Sequence, residues 1–280
     1  MDNVIIVNPP EFEKKKIAFL KGGADSIQVV TDFDRTLTRA FDKGKKVGTA
    51  IAQIRNNNYL SIEYTKKAFD LFNYYQPLEY DDKILMKEKI GLMEEWWTKH
   101  LDLLVSSGMN RGIIEDIVKK NYLPAREGLT TFMNFLKAKK IPILILSSGL
   151  GDIIDGFLSS KKLLSKNVCV ISNYFDFDSN GRARGYKGKI VHVFNKDESS
   201  IKGTPFFDKI ASRKNILLLG DSIGDLKMTA NISFNEIIRV GFFNGLEGQS
   251  IKDFEKNFDI IITNDGSLEV VNALLLELFA

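Results

Sequence analysis

Apolar residues recur along the chain with two different spacings, and each spacing predicts a different kind of element. The run Ile27–Thr31 is almost continuously apolar and predicts a strand buried on both faces. Runs of the same kind are IPILIL, VCVISN, ILLLGD, IIRVG and DIIIT, and helical stretches separate them. Strands that alternate with helices and are apolar on both faces predict an α/β fold, a Rossmann-like parallel sheet with helices on both faces.

A different pattern fills the stretch between residues 47 and 120. Its clearest feature is one helical face with steps of three and four residues, formed by Met86, Ile90, Met93, Trp97, Leu101 and Leu104. Because no strand pattern interrupts this stretch, residues 47–120 are predicted to be a small helical cap inserted after the first strand. Residues 1–46 and 121–280 are then the two parts of one α/β catalytic core.

Composition narrows the classes of function that remain. The formal net charge of +3 over 280 residues gives no reason to expect a nucleic-acid polymer or a membrane as a partner. Two histidines and one cysteine nearly exclude a zinc site built on His and Cys, so a bound metal would be a hard ion held by oxygen. The single Cys169 lies in an apolar run and predicts a buried free thiol in a reducing compartment.

Polar residues follow three of the predicted strands directly. They are Asp32 and Asp34 after the first, Ser147 and Ser148 after the second, and Asp221 and Asp225 after the ILLL strand. Ligands of open parallel sheets bind at the carboxyl ends of the strands, so these residues are expected to share one site. Carboxylates there suit magnesium, and the serine hydroxyls before Gly149 and Gly151 suit an anion. Lys196 is our choice for the cation that balances a phosphate.

The same residues resemble a known family. DFDRTLT, SSGLGD, the lysine of VFNK and GDSIGD are similar to the four motifs of the haloacid dehalogenase superfamily of phosphotransferases, in the right order. The resemblance is closer to its cytosolic pyrimidine 5'-nucleotidase branch, the type III 5'-nucleotidases. It extends over nearly the whole chain through EWWTK, IPILILSSGLGDII, SNYFDFD, GYKGKIVHVFNK, NILLLGDSIGDLKM and SLEVVN.

The resemblance implies covalent catalysis. Asp32 would attack phosphorus as the nucleophile, and Asp34 would protonate the leaving oxygen and later activate water. Ser147 and Lys196, with Ser148 beside them, would bind the phosphoryl group of the substrate.

The resemblance also implies a magnesium cofactor. The side chain of Asp32, the main-chain oxygen of Asp34 and the side chain of Asp221 would hold it. Asp225 would orient the metal shell or Lys196, and direct binding of the metal is the alternative.

Substrate choice is assigned to the cap. The resemblance implies that Glu79 contacts the base, and His100 stands where the family has a serine, two residues after the WYT that reads WWT here. Cytosine, uracil and 7-methylguanine all remain candidate bases. An ordinary helix-face position is the alternative for His100.

The sequence therefore predicts a cytoplasmic, magnesium-dependent 5'-nucleotidase that hydrolyses nucleoside 5'-monophosphates such as CMP and UMP, or 7-methyl-GMP, with no prediction of oligomeric state. One alternative is a nucleoside phosphotransferase that uses the same intermediate. The other is a catalytically silent nucleotide-binding protein of the same fold. Phosphate release, transfer to an added nucleoside and binding without turnover distinguish these three functions.

Overall fold

An eight-stranded sheet forms the centre of the protein, which a computed structural model describes over residues 3–81, 83–247 and 249–279. Its strands are β1 (Val4–Ile6), β2 (Ile27–Thr31), β5 (Ile143–Leu150), β6 (Val168–Phe177), β7 (Ala183–Lys187), β8 (Asn215–Gly220), β9 (Glu236–Phe243) and β10 (Ile260–Thr263). A separate two-stranded hairpin consists of β3 (Phe41–Asp42) and β4 (Lys45–Lys46).

The strand order is β1-β10-β9-β8-β2-β5-β6-β7, and the six strands from β10 to β6 are parallel. Both edge strands are antiparallel, since β1 pairs with β10 and β7 pairs with β6. The predicted α/β class is thus confirmed, but the sheet is not fully parallel because both edge strands pair antiparallel with their neighbours. No sequence pattern predicts β1, because three apolar residues carry no periodicity and pairing with β10 makes them a strand.

Ten helices surround the sheet in the described part of the chain. They are α1 (Pro9–Gly22), α2 (Ala52–Asn56), α3 (Ile62–Tyr80), α4 (Met86–Ser106), α5 (Arg111–Lys119), α6 (Leu129–Ala138), α7 (Gly151–Ser160), α8 (Pro205–Ala211), α9 (Ile251–Asn257) and α10 (Glu269–Phe279). Three short 3-10 helices, Ala24–Ser26, Glu198–Ile201 and Ile223–Thr229, join some of these elements. None of the helices in the described ranges is long and apolar enough to cross a membrane.

Side chains of the central strands alternate between two hydrophobic clusters, one on each face of the sheet. In β2, Val29 belongs to the first cluster and Val30 to the second. Helices α1, α6, α7 and α10 supply side chains to the first cluster, and α8 and the 3-10 helix Ile223–Thr229 supply the second. Helices therefore cover both faces, which is why the strands are apolar on both faces in the sequence.

The segment from α2 to α5 is helical and packs against the first cluster. Its buried side chains Ile54, Tyr64 and Leu101 belong to that same cluster. The expected face of α4 is buried only in its later part: Met86 and Ile90 are 45% and 36% exposed and lie outside the main core. These two residues belong to the first turns of α4, at the tip of the α3–α4 hairpin.

The single cysteine differs from its predicted environment. Cys169 is half-buried in β6 rather than fully buried. Burial nevertheless raises the pKa of its thiol to about 11, so the protonated form dominates at neutral pH.

Candidate active site

A cavity of about 340 Å³ lies between the carboxyl edge of the sheet and helices α2, α3 and α4. All nine site residues proposed from the sequence line it: Asp32, Asp34, Glu79, His100, Ser147, Ser148, Lys196, Asp221 and Asp225. A larger cavity of about 480 Å³ is lined only by residues of α3 and α4, such as Lys67 and Glu95. No strand end is among the described residues that line the larger cavity, so the smaller one is the candidate active site.

The end of β2 positions Asp32. Thr31 is paired with Ile145 of β5 and Leu219 of β8, and the Asp32 N–H donates to the Leu219 carbonyl oxygen at 3.0 Å. Asp32 is 6% exposed, and its Oδ1 accepts a hydrogen bond from Lys196 Nζ at 2.7 Å. Burial raises the pKa of Asp32, while the charge of Lys196 opposes that rise.

Lys196 bridges two carboxylates. Its Nζ lies 2.7 Å from Asp32 Oδ1 and 2.5 Å from Asp225 Oδ1. Burial disfavours the charged amine, but Asp225 and Asp32 outweigh that effect and raise the pKa of Lys196. The lysine is therefore a fixed, buried positive charge beside the proposed nucleophile.

Three carboxylates converge beside this lysine. Asp32, Asp221 and Asp225 each offer an oxygen within 4.8 Å of the others. Asp225 Oδ2 accepts hydrogen bonds from the Asp221 N–H at 3.0 Å and from the N–H and hydroxyl of Ser222, both at 2.9 Å. Burial and the neighbouring Asp225 raise the pKa of Asp221 to about 7. A hard divalent cation would relieve this repulsion, so the donor set fits magnesium.

Asp34 has a different environment from Asp32. Its Oδ1 accepts a hydrogen bond from the Ala50 N–H at 2.8 Å, and burial raises its pKa to about 6. A Cβ on Gly149 would lie 3.4 Å from Asp34 Oδ2 and 3.2 Å from Ser147 Oγ. Because Gly149 has no side chain, the carboxyl end of β5, which carries Ser147, can approach Asp34 closely.

Ser147 and Ser148 extend β5 into the cavity. Ser147 is 2% exposed, and its Oγ accepts a hydrogen bond from the Gly149 N–H at 3.1 Å. Asn173 of β6 holds this strand end by donating to the Ser148 carbonyl at 2.8 Å. Strand β5 runs to Leu150, four residues beyond the predicted apolar run, because this polar segment continues the pairing with β6.

Arg126 lies beside the site although no sequence pattern predicted a role for it. It is 1% exposed, and its guanidinium donates to the carbonyl oxygens of Thr36 at 2.6 Å, Gly266 at 2.5 Å and Arg35. It also pairs with Asp265 at 3.2 Å. These bonds hold the turn after Asp34, in which Arg35 has a φ of 62°. No local signal marks Arg126, because all of its partners are distant in the chain.

The side of the cavity formed by α3 and α4 is largely aromatic, with Phe72, Trp96 and Trp97 among its lining residues. His100 is 3% exposed, and burial lowers its pKa to about 3, so its imidazole is neutral. Burial raises the pKa of Glu79 to about 7. Arg55 also lines this side and was not singled out from the sequence.

Comparison with known proteins identifies a family and relatives that are described as 5'-nucleotidases. The sequence profile of a family described as pyrimidine 5'-nucleotidase (UMPH-1) matches residues 35–279. The 7-methylguanosine phosphate-specific 5'-nucleotidase A of Xenopus laevis is 38% identical, over 98% of this chain and 95% of its own. The Homo sapiens protein described as 7-methylguanosine phosphate-specific 5'-nucleotidase is 34% identical, over 97% and 91%.

A solved structure extends this similarity to the whole fold. Cytosolic 5'-nucleotidase IIIB bound to cytidine matches with a TM-score of 0.85 and 29% identity, over 99% of this chain and 93% of that one. A phospho-aspartyl intermediate analogue of phosphoserine phosphatase shares the fold alone, with a TM-score of 0.52 and 15% identity. The predicted fold class is confirmed by these matches.

Proposed function

The chain belongs to the pyrimidine 5'-nucleotidase family, and from that premise we propose that it hydrolyses nucleoside 5'-monophosphates with magnesium through an aspartyl-phosphate. The family resemblance in the sequence is thus confirmed, and with it the class of enzyme, a phosphoric monoester hydrolase. One observation supports the mechanism. Buried Asp32 forms an ion pair with Lys196 in the wall of a cavity that is also lined by Asp221 and Asp225.

The first step transfers the phosphoryl group to the enzyme. A carboxylate oxygen of Asp32 forms a bond to phosphorus while the bond from phosphorus to the nucleoside 5'-oxygen breaks. Asp34, in its protonated form, gives its proton to that oxygen, and the nucleoside leaves. The raised pKa of Asp34, about 6, supports this role because it keeps a fraction protonated near neutral pH.

The second step regenerates the carboxylate. A water molecule attacks phosphorus, its proton passes to Asp34, and the bond from phosphorus to Asp32 breaks to release inorganic phosphate. Lys196 and the Ser147 hydroxyl lie at the same floor of the cavity and bind the phosphoryl oxygens in both steps. Magnesium, when bound by Asp32, Asp221 and the main-chain oxygen of Asp34, would offset negative charge on the phosphoryl group. Asp225 orients Asp221 and Lys196 through the contacts described above.

We further propose that residues 47–120 act as the cap. Their helices supply Glu79 and His100 to the cavity wall, where both would contact the nucleoside. The substrates would be pyrimidine nucleotides such as CMP and UMP, or the 7-methylguanosine phosphate named in the relatives. A cytoplasmic location is proposed because a Caenorhabditis elegans relative, 33% identical, is described as a putative cytosolic 5'-nucleotidase 3.

Replacement of the nucleophile tests the mechanism. Asp32→Asn should abolish phosphate release across a panel of nucleoside monophosphates in magnesium while circular dichroism shows a folded protein. Asp176→Asn is the matched control, because Asp176 also lies in a DFD sequence but pairs with Arg184 on the β6–β7 hairpin. Full activity in Asp32→Asn would refute the mechanism. Adding a second nucleoside to the wild-type reaction shows whether the phosphoryl group passes to it instead of to water.

A further inference from the structure

Arg55 is a buried cation in the cavity wall that has no partner among the described residues. It belongs to α2, is 8% exposed and lines the cavity. Its guanidinium lies 4.8 Å from the ring centre of Phe72 and 5.4 Å from that of Phe69. It makes no side-chain hydrogen bond or ion pair with the described residues, and its Nε is buried without an acceptor.

A second unpaired donor lies nearby. The indole Nε1 of Trp96 is buried and has no acceptor among the described residues, and its ring lies 6.2 Å from that of Phe72. Guanidinium and indole groups only donate hydrogen bonds. Because a buried donor without an acceptor is unfavourable, this part of the cavity is suited to a ligand that brings acceptors.

Arg55 and Trp96, the two donors that are unpaired among the described residues, lie at the end of the cavity where the nucleobase would bind. Phe72, Gln76 and Glu79 line the cavity from one face of α3. The charges of Lys196 and Asp225 act on Glu79, so that end of the helix is nearest the catalytic carboxylates. Phe72 is two turns away, about 10 Å along the helix axis, so Arg55 beside it lies at the end of the cavity away from those carboxylates.

Arg55 also places a positive charge at this end of the cavity. No carboxylate of the described residues forms an ion pair with Arg55. The imidazole of His100, which is also in the wall, is kept neutral by burial and by the charge of Arg55, which together lower its pKa. An aromatic wall normally attracts a cationic ring, but here the guanidinium already lies against Phe72.

We propose that Arg55 determines base specificity, by donating a hydrogen bond to a carbonyl oxygen at the edge of an uncharged base and by repelling a cationic base. This inference rests on the proposed function and narrows its substrate class to 4-oxopyrimidine nucleotides such as UMP. In uracil the C4 carbonyl lies across the ring from the ribose, whereas cytosine has an amino group there that cannot accept. The ring of 7-methylguanine carries a positive charge.

Nucleoside binding to the wild-type protein tests this directly, with the fluorescence of Trp96 and Trp97 as the signal. Uridine should bind about tenfold or more tightly than cytidine. The neutral isostere 7-methyl-7-deazaguanosine should bind about tenfold or more tightly than 7-methylguanosine, at a pH where the N1–H of the latter is not ionised. The same order is expected for kcat/KM of the 5'-monophosphates.

Three variants separate the role of Arg55 from general effects on the cap. Arg55→Met should reduce both preferences to about twofold or less, and Arg55→Lys should keep the preference for the neutral purine. Lys67→Met is the matched control, because Lys67 is an exposed cation of the neighbouring helix and should leave both preferences unchanged. If Arg55→Met does not fold, the wild-type preferences and the lysine variant still decide the question.

The inference is overturned if wild-type protein binds cytidine as tightly as uridine, if it binds 7-methylguanosine as tightly as its neutral isostere, or if Arg55→Met keeps both preferences. Failure of the proposed function gives a different result. In that case the wild-type protein would release no phosphate from any monophosphate, while the nucleoside titrations would still report the preference of the cavity.

Discussion

Replacing Lys196 with methionine should destabilise the protein and abolish catalysis. The substitution keeps the length of the side chain but removes the positive charge between Asp32 and Asp225, which lie 2.7 and 2.5 Å from it. All three side chains are at most 8% exposed, so solvent screens the charges weakly. Removing one partner of a buried ion pair costs about 3 to 5 kcal/mol of the free energy of unfolding.

For a chain of this length, that loss corresponds to a decrease of about 5 to 9 °C in the melting temperature. Urea unfolding, followed by circular dichroism without divalent cations, would measure the free energy. The rate of phosphate release in magnesium would measure catalysis, and it should fall by at least about 10³-fold because Lys196 is proposed to bind the transferring phosphoryl group.

A second buried lysine provides the control. Lys15 is 9% exposed, pairs with Asp259 at 2.8 Å and donates to the Ile237 carbonyl, far from the cavity. Lys15→Met should also lower stability but should keep kcat near the wild-type value. The reasoning is refuted if Lys196→Met is within about 0.5 kcal/mol of wild-type stability, or if Lys15→Met loses activity to the same extent.

Further predictions concern pH, the turn after Asp34 and the metal. His100 has a pKa of about 3 when folded and 6.5 when unfolded, so the unfolded chain takes up the proton first and stability falls as pH falls from 6.5 to 3. Between pH 7 and 5, urea unfolding should show His100→Gln losing about 2 kcal/mol less than wild type; equal losses would contradict this. Arg126→Met should cost about 3 to 5 kcal/mol in the same assay, against less than about 1 kcal/mol for exposed Arg184→Met. Asp221→Asn should raise the magnesium concentration for half-maximal phosphate release at least about tenfold, and Glu247→Gln, at the exposed edge of the cavity, should not.

Local sequence patterns predicted much of the sheet and the strand ends. Strands β2, β8 and β10 each have an apolar run, and polar residues follow β2 and β8 directly. Parallel strands place their carboxyl ends at one edge, so Asp32 and Asp221 were predicted to be neighbours. The structure brings them together with Asp225 in one cluster, while their catalytic roles remain predictions for the experiments above.

Other features depended on contacts that no local pattern encodes. Edge strand β1 exists through its pairing with β10, more than 250 residues away in sequence. The first turns of α4 have the apolar spacing of a buried face, but Met86 and Ile90 remain 45% and 36% exposed, and the polar amine of Lys227 lies 3.4 Å from Met86 Sδ.

The sequence by itself determined the class of fold, the family and the residues that can carry phosphoryl chemistry. It did so because apolar periodicity and the motifs after the strands are local properties of the chain. Only the tertiary structure decided which charges meet. It paired Lys196 with Asp32 and Asp225, left Arg55 in the aromatic wall without a partner in the described part of the chain, and placed Arg126 under the turn after Asp34. Electrostatic interactions depend on distance and burial in space, and neither can be read from spacing along the chain.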